Sequence, residues 1–229
     1  FENHPSSVAA LAAGRRLLGN PPAVLRRVRE PVELMHVLRR LGFETPVTRA
    51  AAPRSLAGGP RTWLLKPRRS GGGHGTSAWR AGRPVGRHQY LQERIGGTSG
   101  SIVFLADGKR ALVLGLSRQL VGDRAFGAGG FRYCGSLLDR ASALANAVAG
   151  EFGLVGLNGI DFIARAGVPW PIEVNPRWSA SMELLERRAD PPLFALHAEA
   201  CLGGLPVIAP YRLRGTVGKA VVFARRDVT

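Results

Sequence analysis

The chain has 229 residues, of which 45% are hydrophobic, and a mean hydropathy near zero, as in a folded globular protein rather than a disordered one. No apolar run is long enough to span a bilayer, and the opening FENHPSSVAALAAGRRLL lacks the basic start, apolar middle and cleavage pattern of a signal peptide, so no membrane partner and a cytoplasmic location are expected. The net charge of +16 comes from 32 basic residues against 16 acidic. All of the basic residues except Lys66, Lys109 and Lys219 are arginines, scattered without a block or a nucleic-acid module. Solvated surface charge is therefore weighted above nucleic-acid binding, and the positive field would also attract a polyanion such as ATP.

In chain order, residues 7–19 and 30–41 carry apolar positions at helical spacing, the second opening with Pro31 in its first turn and stopping at Gly42. Prolines and glycines make residues 43–61 loop with at most one short strand. TWLLKP reads as a strand, RRSGGGHGTS as a glycine-rich loop, and HQYLQERI as a strand ending at Gly96 and Gly97. Residues 101–122 hold two β-rich runs joined at Asp107-Gly108, a hairpin signal. A helix is expected over 136–153, and a second hairpin over 155–175 turning near Gly167. Residues 179–189 and a segment from Pro191 and Pro192 to about Cys201 read as helices, and GTVGKAVVFARR closes with a strand. Hairpins with interspersed helices predict an α+β fold. Cys134 and Cys201, far apart and outside any CxxC pair, are expected to be buried thiols. A start at Phe1 and a stop just past a strand-like run give the expectation of a fragment.

The second hairpin carries the strongest chemical signal. If strands 158–164 and 170–175 pair about a turn near Gly167, opposed positions sum to about 334 and Asp161 faces Glu173. Their Cβ atoms would then lie roughly 5 Å apart, where like charges destabilise a sheet unless a positive charge intervenes. Asn175 projects from the same face as Glu173, while Ile160, Phe162, Ile172 and Val174 form the other. Two carboxylates and an amide oxygen suit Mg²⁺. Solvated acids, or acids paired with some of the many arginines, would explain the same residues.

Lys66 ends an apolar strand just before Gly71, Gly72, Gly73 and Gly75, with hydroxyls at Ser70, Thr76 and Ser77. Glycines let backbone N–H groups wrap an anion, and lysine adds a mobile charge for phosphate. The loop is not GxxxxGK[ST], and on its own a flexible surface loop explains it equally well. A solvated role is expected for His74.

Lysine strand, glycine loop, YLQERI, GIDFI and PIEVNPR, in that order, resemble the ATP-grasp superfamily, especially its carboxylate-amine ligases, over roughly residues 20–225. The resemblance implies an ATP-grasp architecture: a helical segment over 1–43, a small β-rich lid over 44–95, and a larger antiparallel α+β unit over 96–229, with the family's N-terminal α/β domain absent from this chain. It implies that Lys66 reaches the α- and β-phosphates, and that Gly71, Gly72, Gly73 and Gly75 close over ATP. Gln92, Glu93 and Ile95 would meet adenine, with Glu93 on its exocyclic amine or on ribose. Asp161, Glu173 and Asn175 would ligate Mg²⁺, with Mn²⁺ as an alternative, and Arg177 would steady the transferred phosphoryl group. The implied reaction phosphorylates a small-molecule carboxylate and joins it to an amine, and a homodimer is allowed for. Phosphoryl transfer to another acceptor and a non-enzymatic basic nucleic-acid-binding domain remain as alternatives. Two departures stand out: Gly97, Thr98, Ser99 and Gly100 occupy the region of the usual ribose-binding acid, and Arg29-Glu30-Pro31 replaces an upstream Asp-Lys. Arg118 and the FRYCG run at 131–135 are read either as acceptor-pocket lining or as structure.

Overall fold

The strands of the computed structural model, which describes residues 2–51, 61–122, 125–129, 135–187, 189–206 and 218–221, form two antiparallel sheets. The smaller has β1 (Thr48–Arg49), β2 (Trp63–Pro67), β3 (Ser77–Ala78) and β4 (Gln89–Glu93) in the order β1-β4-β2-β3. The larger has β5 (Thr98–Asp107), β6 (Ala111–Gly122), β7 (Ala125–Gly129), β8 (Val155–Arg165), β9 (Val168–Asn175) and β10 (Gly218–Val221) in the order β10-β7-β6-β5-β8-β9. The helices are α1 (Pro5–Ala12), α2 (Pro22–Val28), α3 (Pro31–Arg40), α4 (Gly135–Phe152), α5 (Ala180–Glu186) and α6 (Leu193–Cys201). Antiparallel sheets with helices set against them give the α+β class expected from the sequence. Among the described residues no helix is long and apolar enough to cross a membrane.

The large sheet is covered on both faces, which is why β5 is apolar at every position from Ile102 to Ala106 instead of alternating. Ile102, Phe104 and Ala106 pack with Leu34 and Leu38 of α3 and with Leu144 and Val148 of α4. Val103 and Leu105 point the other way, against Met182 and Leu185 of α5 and Leu193 and Leu196 of α6. The small sheet has one apolar face, where Trp63, Leu65 and Leu91 gather with Val47, Trp79 and Val85. Its opposite face carries Lys66, Tyr90 and Gln92, side chains placed together because Lys66 pairs with Tyr90 and Leu64 with Gln92.

Several elements depart from the sequence expectation. The first helix ends at Ala12 instead of continuing to 19, because the chain turns at Gly14 with φ 69°. α2 was not anticipated; Pro22 occupies its first helical turn, where the missing N–H costs nothing. Cys201 is half-buried rather than fully buried, with its thiol pushed up to about 11 by burial, and Cys134 lies outside the described residues. Gly135 of the expected FRYCG strand opens α4, and residues 131–134 also lie outside the description.

Phe104 is fully buried under α4. Phe104→Ala is expected to lower unfolding free energy by about 3–5 kcal/mol, the cost of a large core truncation, measured by urea denaturation.

Candidate active site

The β8–β9 hairpin turns at Ala166 and Gly167, whose φ angles of 50° and 73° are both positive, as a two-residue hairpin turn matched to strand twist requires. Next to that turn the strands pair one residue out of the expected register, Arg165 with Val168 and Phe162 with Pro171. A bulge between Asp161 and Phe162 then corrects it, so that Asp161 faces Glu173, Ile160 faces Val174 and Gly159 faces Asn175. The extra residue is Ile172. It does not join the apolar face with Ile160, Phe162 and Val174, because the bulge turns it out of alternation, and its carbonyl accepts from Gln92 Nε2 at 3.2 Å.

Asp161 is half-buried and heavily bonded. Its Oδ1 accepts from Ser101 Oγ and from Gln119 Nε2 (3.3 Å), and its Oδ2 accepts from Asn175 Nδ2 at 3.0 Å. Burial, followed by the charge of Glu173, pushes its carboxyl up to about 6, against the opposing hydrogen bonds of Ser101 and Asn175. Glu173 Oε2 meets Arg29 Nη1 at 3.5 Å. The same guanidinium donates to the Val174 and Ser70 carbonyls at 3.0 and 3.1 Å, and its Nε is buried without a hydrogen bond. Among the described residues no three His, Cys, Asp or Glu side chains converge. The donor set is two facing carboxylates and Asn175, all hard oxygen-bearing groups, and the raised Asp161 carboxyl marks a pair short of positive charge. Both features fit a hard divalent cation such as Mg²⁺.

Lys66 comes to this pair from the small sheet. Its Nζ donates to Gln92 Oε1 at 3.1 Å and lies 5.7 Å from the Tyr90 ring centroid. Burial lowers the lysine's proton affinity, the charges of Glu173 and Asp161 act to raise it, and Arg29 adds to the fall. Gln92 therefore ties β4 both to Lys66 and to the β9 bulge. Arg29, Lys66, Ser70, Tyr90, Ile172 and Glu173 enclose only about 20 Å³. That is room for a water at most.

The glycine loop is exposed and folds back on itself, His74 N donating to Gly71 O at 3.3 Å and Thr76 N to Gly73 O at 3.1 Å. Gly72 and Gly73 hold consecutive φ angles of 63° and 74°, which side-chain-bearing residues rarely adopt. A Cβ on Gly71 would lie 3.6 Å from Arg177 Nη2, so the loop and that arginine are neighbours. Arg177 Nε donates to Glu2 Oε1 at 2.7 Å and Nη1 to the Trp178 carbonyl at 2.9 Å. Burial acts to raise the Glu2 carboxyl, but the hydrogen bond and charge of Arg177 help hold it below its usual value. Glu93 accepts from Val47 N (3.1 Å) and Arg61 Nε (3.2 Å), fastening β4 to its neighbours, while Ile95 is buried just beyond the strand.

Ser101, Gln119 and Arg29 are the contacts that sequence reasoning missed or underweighted. Ser101 pairs with Asp161 across β5 and β8 and with Ser117 across β5 and β6, and its hydroxyl also accepts from Gln119 at 2.9 Å. The only local signal was a hydroxyl at the head of the apolar run SIVFLA.

Residues 29–181 match the family model described as ATP-grasp domain, and the chain belongs to that family. No curated protein matches the sequence significantly. Solved structures share its fold. N5-carboxyaminoimidazole ribonucleotide synthetase from Thermus thermophilus superposes with a TM-score of 0.74 at 22% identity, over 95% of this chain and 64% of the other. L-amino acid ligase from Bacillus licheniformis gives 0.70 at 16%, over 95% and 59%. The biotin carboxylase domain of Hydrogenobacter thermophilus 2-oxoglutarate carboxylase, a structure holding MgADP and bicarbonate, gives 0.74 at 17%, over 94% and 55%. The chain thus spans less than two thirds of each of these proteins.

The raised Asp161 carboxyl has a consequence for the metal-free protein. Unfolded, the group ionises near 3.8; folded, near 6. Its contribution to stability is complete below about pH 4 and is lost as pH rises through 6. In EDTA, Asp161→Asn is expected to be more stable than wild type at pH 7.5, by on the order of 1–2 kcal/mol, with the gain vanishing by pH 4. Thermal denaturation across that range checks it, and a pH-independent difference would contradict the reading.

Proposed function

We propose that the chain is an ATP- and Mg²⁺-dependent ligase that activates a small-molecule carboxylate as an acyl phosphate for attack by an amine. The observation that carries this is the meeting of Asp161, Glu173 and Asn175 with Lys66, beside a glycine loop that abuts Arg177. In this reading residues 44–95 close as a lid and residues 96–229 carry the metal ligands. The synthetase and ligase names borne by two of the similar structures favour the same chemistry over a bare nucleotide-binding role.

Asp161, Glu173 and Asn175 would hold the cation, which when bound supplies positive charge to the phosphates. Lys66, held by Gln92 and carrying the field of both carboxylates, is placed to meet phosphate oxygens once the lid has opened and reclosed. Backbone N–H groups of residues 71–75 would surround the terminal phosphate and exclude water. A substrate carboxylate oxygen bonds to the γ-phosphorus as the bond to the β,γ-bridging oxygen breaks and ADP leaves. The amine nitrogen then attacks the acyl carbon, phosphate departs, and the amine's proton passes to solvent. Arg177 is positioned to offset the charge of the acyl phosphate, so the protein's contribution is placement and electrostatics rather than covalent catalysis.

Hydroxylamine intercepts acyl phosphates as hydroxamates, so ATP-dependent hydroxamate formation with a carboxylate panel tests the reading. Wild type is expected to form hydroxamate and ADP together. Lys66→Met and Arg177→Met are expected to lose roughly 10²–10³-fold in kcat, and Glu173→Ala to lose activity altogether. ADP without hydroxamate for every acid, or an undiminished Glu173→Ala enzyme, would overturn the proposal.

A further inference from the structure

A cavity of about 380 Å³ is lined by Arg177 and bounded by α1, residues 15–20 and α6. It lies toward the small end of the ~300–1,000 Å³ range of small-molecule sites. Its wall is apolar, with Val8, Leu11, Leu17, Leu18, Leu25 and Leu157 contributing. Arg177 and Glu2 also line it, as do Arg15 and Arg16. The guanidinium is shared: its Nε holds the Glu2 carboxylate in this cavity, while its Nη2 faces Gly71 of the glycine loop. A carboxylate thus already sits on Arg177 on the cavity side, next to where the loop would cover the terminal phosphate.

His197, which also lines the cavity, is engaged at both nitrogens. Nδ1 accepts from Leu157 N at 2.9 Å, and Nε2 meets the Leu18 carbonyl at 3.2 Å, the contact of a protonated nitrogen. The His197 ring therefore offers a ligand no free donor.

We infer that this cavity binds an apolar monocarboxylic acid, whose carboxylate displaces that of Glu2 from Arg177 and is thereby presented for activation. The inference rests on the ligase reading for its purpose and on the cavity for its chemistry. The apolar wall selects the tail. The guanidinium selects the head, and Arg15 and Arg16 add attraction for an anion. Glu2 acts as an internal competitor that occupies the arginine's Nε until substrate arrives, so removing its charge favours the acid.

Titration calorimetry of the full chain without ATP, using butyrate, hexanoate, octanoate and hexylamine, reads binding apart from catalysis. Affinity is expected to rise about fourfold per added methylene until the cavity is filled, with hexylamine binding at least tenfold more weakly than hexanoate. Glu2→Gln is expected to tighten hexanoate several-fold and Arg177→Met to weaken it at least tenfold. Ala12→Phe, which intrudes on the cavity from α1, is expected to abolish the gain from hexanoate to octanoate while leaving butyrate unchanged. Equal affinity for butyrate and octanoate, or an Ala12→Phe chain indistinguishable from wild type, overturns the inference. So does a lack of acid binding in a protein that sediments as a dimer dispersed by Leu18→Asp, which would make the groove an interface between copies. Chain-length-dependent binding without ATP-dependent hydroxamate sustains the cavity and removes the ligase reading. Hydroxamate formed only from polar acids, with no hexanoate binding, does the reverse.

Discussion

Two carboxylates face each other across adjacent strands, Asp161 half-buried and Glu173 beside it, and most of what surrounds them reads as a response to that arrangement. Like charges at such separation oppose sheet pairing, and a buried acid with a charged neighbour holds its proton more tightly than usual. The fold answers with donors: Ser101, Gln119 and Asn175 on one carboxylate and Arg29 on the other. These partners reduce the cost without removing it, since the Asp161 carboxyl still ends near 6. Keeping a destabilising pair in an otherwise apolar sheet makes sense where a cation completes it.

One irregularity turns this pair into a site shared by both sheets. The bulge at Ile172 brings Asp161 opposite Glu173, and the same bulge offers a carbonyl to Gln92. Gln92 in turn holds Lys66, so the register of the large sheet and the position of the small sheet's cation are coupled through one buried amide. Arg29 adds a second link, from β9 to the start of the glycine loop. These links are polar, whereas the apolar cores are separate: Trp63, Leu65 and Leu91 cluster within the small sheet. A polar seam between two independently packed units is the arrangement expected of a hinge that closes on a charged ligand.

The sequence was most readable where structure is local. The long α4 and the strands on either side of the glycine loop follow from periodicity and from Gly and Pro placement. Asp161 and Glu173 were also paired correctly, though through two compensating details, a turn at Ala166-Gly167 and a bulge, neither visible in the strand pattern. Non-local contacts were not readable. Ser101 meets Asp161 only because β5 lies between β6 and β8, and Gln119 only because β6 lies beyond it. α2 was hidden because its opening prolines signal a break as readily as a start. Nothing in EN near the beginning of the chain suggests that Glu2 ends on Arg177, 175 positions away.

The central claim, that a divalent cation belongs between Asp161 and Glu173, is tested most directly by the electron paramagnetic resonance of Mn²⁺ titrated into the protein with ADP present. Wild type is expected to remove Mn²⁺ from the free-ion signal. Glu173→Gln and Asp161→Asn, folded by circular dichroism, are expected to bind it at least about tenfold more weakly. Equal Mn²⁺ affinity in all three proteins would contradict the claim.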